Sequence, residues 1–115
     1  MRARVTRPYE RPYRDPIAAP AGAVVVPDFE RPTDIDGWAW CTGPDGRAGW
    51  TPLAWLVQDG GTWRLARDYD AGELTVAVGE TLELGVYESG FWWAVNGRGE
   101  AGWVPAGHVD ASPDR

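Results

Sequence analysis

The signature Gly-Trp-x-Pro occurs twice in this chain, as Gly49-Trp50-Thr51-Pro52 and Gly102-Trp103-Val104-Pro105. An internal repeat restricts the possible architectures strongly, because each copy must supply one supersecondary unit. The match extends outward from the signature. Gly46-Arg47-Ala48 precedes the first copy and Gly99-Glu100-Ala101 the second. Trp38 aligns with Trp92 and Cys41 with Val95 if the first hairpin turn is one residue longer. Gly22 aligns with Gly79, Ile17 with Leu74 and Tyr9 with Tyr69. The offset between copies shrinks along the chain from 60 to 57 to 54 to 53. Each step falls in a loop, where insertions are tolerated.

Within each copy the residues alternate as in short strands. In the second, residues 62–68 read as a first strand, and Leu82, Leu84 and Val86 alternate with polar neighbours in another. Residues 91–96 and 100–104 flank the tight turn Gly97-Arg98-Gly99. Pro105-Ala106-Gly107 breaks the strand as a short 3-10 turn, and His108-Val109-Asp110 closes the unit. In the first copy, residues 23–26, 37–42 and 47–51 follow the same plan. Fifteen glycines and ten prolines suit short strands and tight turns better than helices. The expectation is an all-β chain of two tandem five-stranded small barrels, over residues 1–57 and 62–112. The turn Asp59-Gly60-Gly61 would join them, and a frayed tail would follow Ala111.

Charge and composition exclude several functions. The net charge is −6. Through Gln58 there are seven arginines and seven acids; beyond it there are four arginines and ten acids. An acidic surface repels phosphate backbones, so no nucleic-acid partner is expected. No apolar run is long enough to span a membrane and no signal-peptide core follows the basic N-terminus, so a cytoplasmic location is expected. Cys41 is the only cysteine and reads as a small buried apolar residue. His108 is the only histidine. No nucleophile with a base, phosphate loop or metal cluster is evident, so no enzyme, cofactor or metal is expected.

The repeated residues resemble the Src-homology-3 (SH3) family. Ala66-Arg67-Asp68-Tyr69-Asp70-Ala71 is similar to its Ala-Leu-Tyr-Asp-Tyr opening, with Arg67 replacing the first tyrosine. Trp92-Trp93 resembles its tryptophan pair, and Gly102-Trp103-Val104-Pro105 its Gly-Tyr-x-Pro signature. Gly37-Trp38 and Gly49-Trp50-Thr51-Pro52-Leu53-Ala54-Trp55 carry the same pattern. The chain also resembles small bacterial proteins built from two such domains. The resemblance implies SH3-like barrels that bind proline-rich or extended segments of a protein partner between aromatic rings. In the first domain those residues would be Tyr9, Trp38, Trp50, Pro52 and Trp55, with Asp15 and Asp36 among the acids facing a basic ligand residue. Glu10 and Asp34 would join those acids. In the second they would be Tyr69, Trp92, Trp103, Pro105 and His108, with Glu73 and Glu88 nearby. Eight residues separate Tyr9 from Ile17, the usual length of the family's specificity loop, but only five separate Tyr69 from Leu74. The first groove is therefore expected to be the more complete. Trp40, Trp63 and Trp93 are left to core or interface roles. An alternative function is a structural or inhibitory accessory protein docked on a basic partner, steered by charge. A glycan binder would require export. Oligomeric state is left open.

Overall fold

The computed structural model describes residues 1–111; the tail expected beyond Ala111 lies outside them. The chain is all-β, with twelve strands and no α-helix among the described residues. In chain order these are β1 (Arg2–Val5), β2 (Ala18–Ala19), β3 (Val24–Asp28), β4 (Trp38–Thr42), β5 (Ala48–Pro52), β6 (Leu56–Asp59), β7 (Thr62–Leu65), β8 (Tyr69–Asp70), β9 (Thr81–Glu88), β10 (Phe91–Val95), β11 (Ala101–Pro105) and β12 (Val109–Asp110). Single 3-10 turns, Leu53–Trp55 and Ala106–His108, follow the two Gly-Trp-x-Pro signatures. No helix among the described residues is long and apolar enough to cross a membrane.

Two compact units form, and they do not coincide with the two repeats. Unit 1 is Met1–Arg14 with the chain from Gly72 onward; unit 2 is the continuous segment Asp15–Ala71. The sheet of unit 1 has the order β11-β10-β9-β1-β12 and that of unit 2 the order β5-β4-β3-β7-β6. The two orders correspond strand for strand. In both, however, the fourth strand comes from the other repeat. β1 pairs with β9 and β12. β7, its counterpart from the second repeat, pairs with β3 and β6. The repeats have exchanged their first strands.

A turn explains the exchange. Residues 57–62, read from sequence as a joint between domains, instead carry a hairpin within unit 2. Asp59 pairs with Thr62 across Gly60-Gly61, and Gly60 has φ 65°. A two-residue turn of this kind suits glycine and forces the strand that follows to pair antiparallel with the strand before. β7 is thereby committed to β6. The place beside β9 and β12 is left to β1. A third, two-strand sheet pairs β2 with β8 inside unit 2.

None of the three sheets closes into a barrel. Each large sheet is open in the order given. Pro52 and Pro105 end β5 and β11, and a proline has no N–H to extend a ladder. The core of unit 1 is Ala3, Val5, Leu74, Val76, Leu82, Leu84, Ala94 and Val104. Unit 2 buries Ile17, Val25, Cys41, Leu56 and Leu65. The alternating pattern of β1 puts Ala3 and Val5 inward and both arginines outward.

Register also revises the alignment of the copies. Trp40 lies opposite Trp50, and Trp93 opposite Trp103. The counterpart of Trp38 is therefore Phe91, that of Ala39 is Trp92, and that of Cys41 is Ala94. The offset is a constant 53 from Gly37 to Val57, with no longer turn in the first copy. Gly37 and Gly90 then coincide, at φ 100° and 97°. The carbonyls of both accept from the residue after the signature proline, Leu53 N–H and Ala106 N–H, each at 2.8 Å. A slip of one residue changes the face on which every side chain of a strand stands.

Candidate ligand-binding surface

The exchange redistributes the twelve residues singled out from sequence. Tyr9 sits in unit 1 with Trp92, Trp103, Pro105 and His108; Tyr69 sits in unit 2 with Trp38, Trp50, Pro52, Trp55, Asp15 and Asp36. The expected grouping of Tyr9 with Trp38, Trp50, Pro52 and Trp55 is not assembled within either unit.

In unit 1, Tyr9, Trp92, Pro105 and His108 are all partly exposed. Tyr9 is held between backbone and side chain. It exchanges hydrogen bonds with Val76, donating to its carbonyl at 3.0 Å and accepting from its N–H at 2.8 Å. Its hydroxyl donates to Glu73 Oε1. Its ring meets His108 edge-on, with centroids 5.3 Å apart and an interplanar angle of 80°. His108 Nδ1 lies 3.1 Å from the Pro8 carbonyl oxygen, which can only accept, so that nitrogen is the donor. Tyr9 and Trp92 both pack on the unit 1 core. Tyr87, opposite Trp92 in register, touches it edge-on at 5.0 Å and is half exposed. Trp103 is buried and pairs with Trp93 at 5.5 Å, so it supports the sheet instead of facing solvent. Burial pushes the Glu73 carboxyl above its ordinary range, and the hydrogen bond from Tyr9 opposes that. Burial, then the bond to Glu73, push the Tyr9 phenol far above its usual value.

In unit 2 the equivalent positions are closed. Tyr69 is 5% exposed, Trp55 8% and Ala39 4%, and Pro52 is fully buried. Trp55 and Tyr69 meet edge-on at 5.4 Å. The Tyr69 hydroxyl donates to the Trp50 carbonyl at 2.5 Å. The Arg67 guanidinium lies 4.1 Å above the Trp55 ring. Trp38 is also buried. Asp15 is held by Arg47 at 2.9 Å, and Asp36 is exposed in the loop before β4. Cys41 is buried, and burial raises its thiol above the ordinary range.

Sequence reasoning missed two groups. Tyr87 was not singled out; β9 runs on through it to Glu88 and sets it opposite Trp92. Arg31 was not singled out; its guanidinium lies 3.8 Å over Trp40 and 5.5 Å from Trp50. Compared with protein-family models, curated proteins and solved structures, the chain matches none of them.

Proposed function

We propose that the protein is a non-enzymatic binding module of SH3-like units with exchanged first strands, and that unit 1 takes a proline-rich or extended segment of a partner protein. The observation that carries this reading is the set Tyr9, Trp92, Pro105 and His108, partly exposed on one unit, with Tyr87 extending it past Trp92. Rings held at fixed angles offer slots to an extended peptide that loses little entropy on docking. Glu73 and Glu88 supply acid for a basic residue flanking the prolines. A single surface of this kind binds at about micromolar strength, roughly −8 kcal/mol.

The test is a titration of the full chain with proline-rich peptides flanked by arginine, followed through tryptophan indole and His108 NMR signals. Saturable shifts at Trp92 and His108, lost in Trp92→Ala, support the reading. A flat response across the panel with both proteins folded sinks it.

A further inference from the structure

The outer face of the unit 2 sheet carries a second aromatic surface, independent of the one above. Cys41 and Thr51 point into the core, so their neighbours Trp40 and Trp50 stand on the opposite face. The two rings are partly exposed and meet edge-on at 5.2 Å and 78°. Unit 1 has an equivalent pair, Trp93 and Trp103, at 5.5 Å and 76°. In unit 2 a cation lies on the pair. Arg31, from the loop between β3 and β4, stacks its guanidinium over Trp40. Arg31 is an exposed residue and takes part in none of the ion pairs found among the described residues.

The same loop is strongly acidic. Glu30, Asp34 and Asp36 lie in it and Asp28 ends β3 just before it; all four are exposed. The strand exchange concentrates this charge. Unit 2 holds four arginines against nine acids, a net −5, and unit 1 seven arginines against eight acids, a net −1. The acidic body is thus the continuous segment 15–71, where sequence halves had pointed to the C-terminal part.

We infer that Trp40 and Trp50 form a docking site for an arginine-bearing segment of a partner protein, occupied in the free protein by its own Arg31. The chemistry of the occupant follows from the internal one. A planar guanidinium stacks on indole and is weakly hydrated, whereas an ammonium is a compact, strongly hydrated charge. The acidic loop attracts a basic segment and repels an acidic one. Arg31 competes from within the chain, so removing it frees the rings without removing them.

The probe is a blocked, proline-free peptide of three arginines spaced by glycines, titrated into the full chain while the Trp40 and Trp50 indole N–H signals are followed. Saturable shifts at these two indoles are expected, weakening as salt is raised. Arg31→Ala is expected to tighten binding about two- to five-fold, the factor a cation–π contact contributes at an exposed site. Arg31 is exposed, so this variant does not put the fold at risk. The lysine version of the peptide should bind several-fold more weakly, and Trp92→Ala should change nothing. Unchanged or weaker binding by Arg31→Ala overturns the inference. So do absent saturation in that variant and shifts centred on Trp92 and His108.

Discussion

Unit 1 and unit 2 share one strand order, one signature and one pattern of turns, yet their corresponding aromatic positions have opposite fates. In unit 1 Tyr9, Trp92, Pro105 and His108 reach solvent; in unit 2 Tyr69, Ala39, Pro52 and Trp55 do not. Two local substitutions accompany this difference. Ala39 removes the ring that Trp92 supplies. Pro16 stands where unit 1 has Glu73, so the Tyr69 hydroxyl turns to the Trp50 carbonyl where Tyr9 turns to a carboxylate. The same residue types therefore reach solvent in one unit and are packed away in the other. Chemical type is a poor guide to role when burial differs.

The sharpest way to break the comparison is to cut the chain at the wrong place. Residues 15–71 contain every strand of the unit 2 sheets and are expected to fold alone, with a cooperative unfolding transition. Residues 1–57 lack β7, the strand between β3 and β6, and with it the buried Leu65. Residues 62–115 lack β1 in the same way. Both fragments should show collapsed amide dispersion and no cooperative transition. A 15–71 segment with no cooperative transition would refute the strand exchange, whereas a folded 1–57 would show only that β1 can take the place of β7 when β7 is absent.

The all-β class and most strand positions were legible, because alternation and the Gly-Trp-x-Pro turns are local signals; closure into barrels was expected and is not seen. Which repeat supplies the fourth strand of each sheet was not, since β1 and β7 carry similar alternation and fit equivalent places. The Asp-Gly-Gly turn was read correctly as a turn but as a joint between bodies instead of a hairpin. Its two-residue length was the available clue. The site suffered from one matched letter. Aligning Trp38 with Trp92 satisfied residue identity and violated strand register, whereas aligning Gly37 with Gly90 would have satisfied both. Burial of Tyr69 and Trp55 depends on tertiary packing and has no local signature.

The next largest effect separates the two ring sets. Trp55→Ala is expected to cost about 3 kcal/mol or more of stability, the usual cost of removing a buried aromatic side chain, and to leave peptide binding by unit 1 intact. Trp92→Ala should do the reverse, weakening proline-rich peptide binding by at least about tenfold, as central aromatic anchors do, with a smaller loss of stability. Denaturant melts and titrations on both variants give the four numbers needed. Equal stability losses would remove the distinction between packing and recognition.

A smaller contrast lies in the signature glycines, which both face the loop arm crossing the sheet. A methyl group added at Gly102 would meet the backbone of Glu73 and Leu74 at 2.8 Å. One added at Gly49 would meet only side chains, those of Ala71, Pro16 and Ile17, at 3.1 to 3.2 Å. The Ala71 and Pro16 Cβ atoms are as fixed as backbone, but the contacts at Gly49 are longer, so Gly102→Ala should cost about 2–3 kcal/mol and Gly49→Ala about 1 kcal/mol, within the range for overpacking. A reversed order in urea melts would mean that the unit 1 arm gives way more easily than its contacts imply.

The smallest expected effect uses the Glu73–Pro16 difference. Glu73 is raised by burial in the folded protein, so the folded state binds its proton more tightly than the unfolded chain does. Its favourable contribution is then fully present below the unfolded carboxyl value and is lost as pH rises through the raised folded value. Exposed carboxylates held low by hydrogen bonds, Asp45 with Arg47 and Glu100 with Asn96, act in the opposite sense. The Glu73 contribution must therefore be isolated by difference. Glu73→Gln keeps an acceptor for the Tyr9 hydroxyl and removes the charge. It is expected to stabilise unit 1 by less than about 1 kcal/mol at pH 7, after allowing for solvent screening, with the gain vanishing toward pH 4. Unit 2 has no carboxylate at this position, so residues 15–71 alone should show no such step. If the variant instead loses stability at neutral pH, the ionised Glu73–Tyr9 bond outweighs the cost of burying the carboxylate. Charge at this position would then hold the ring set in place.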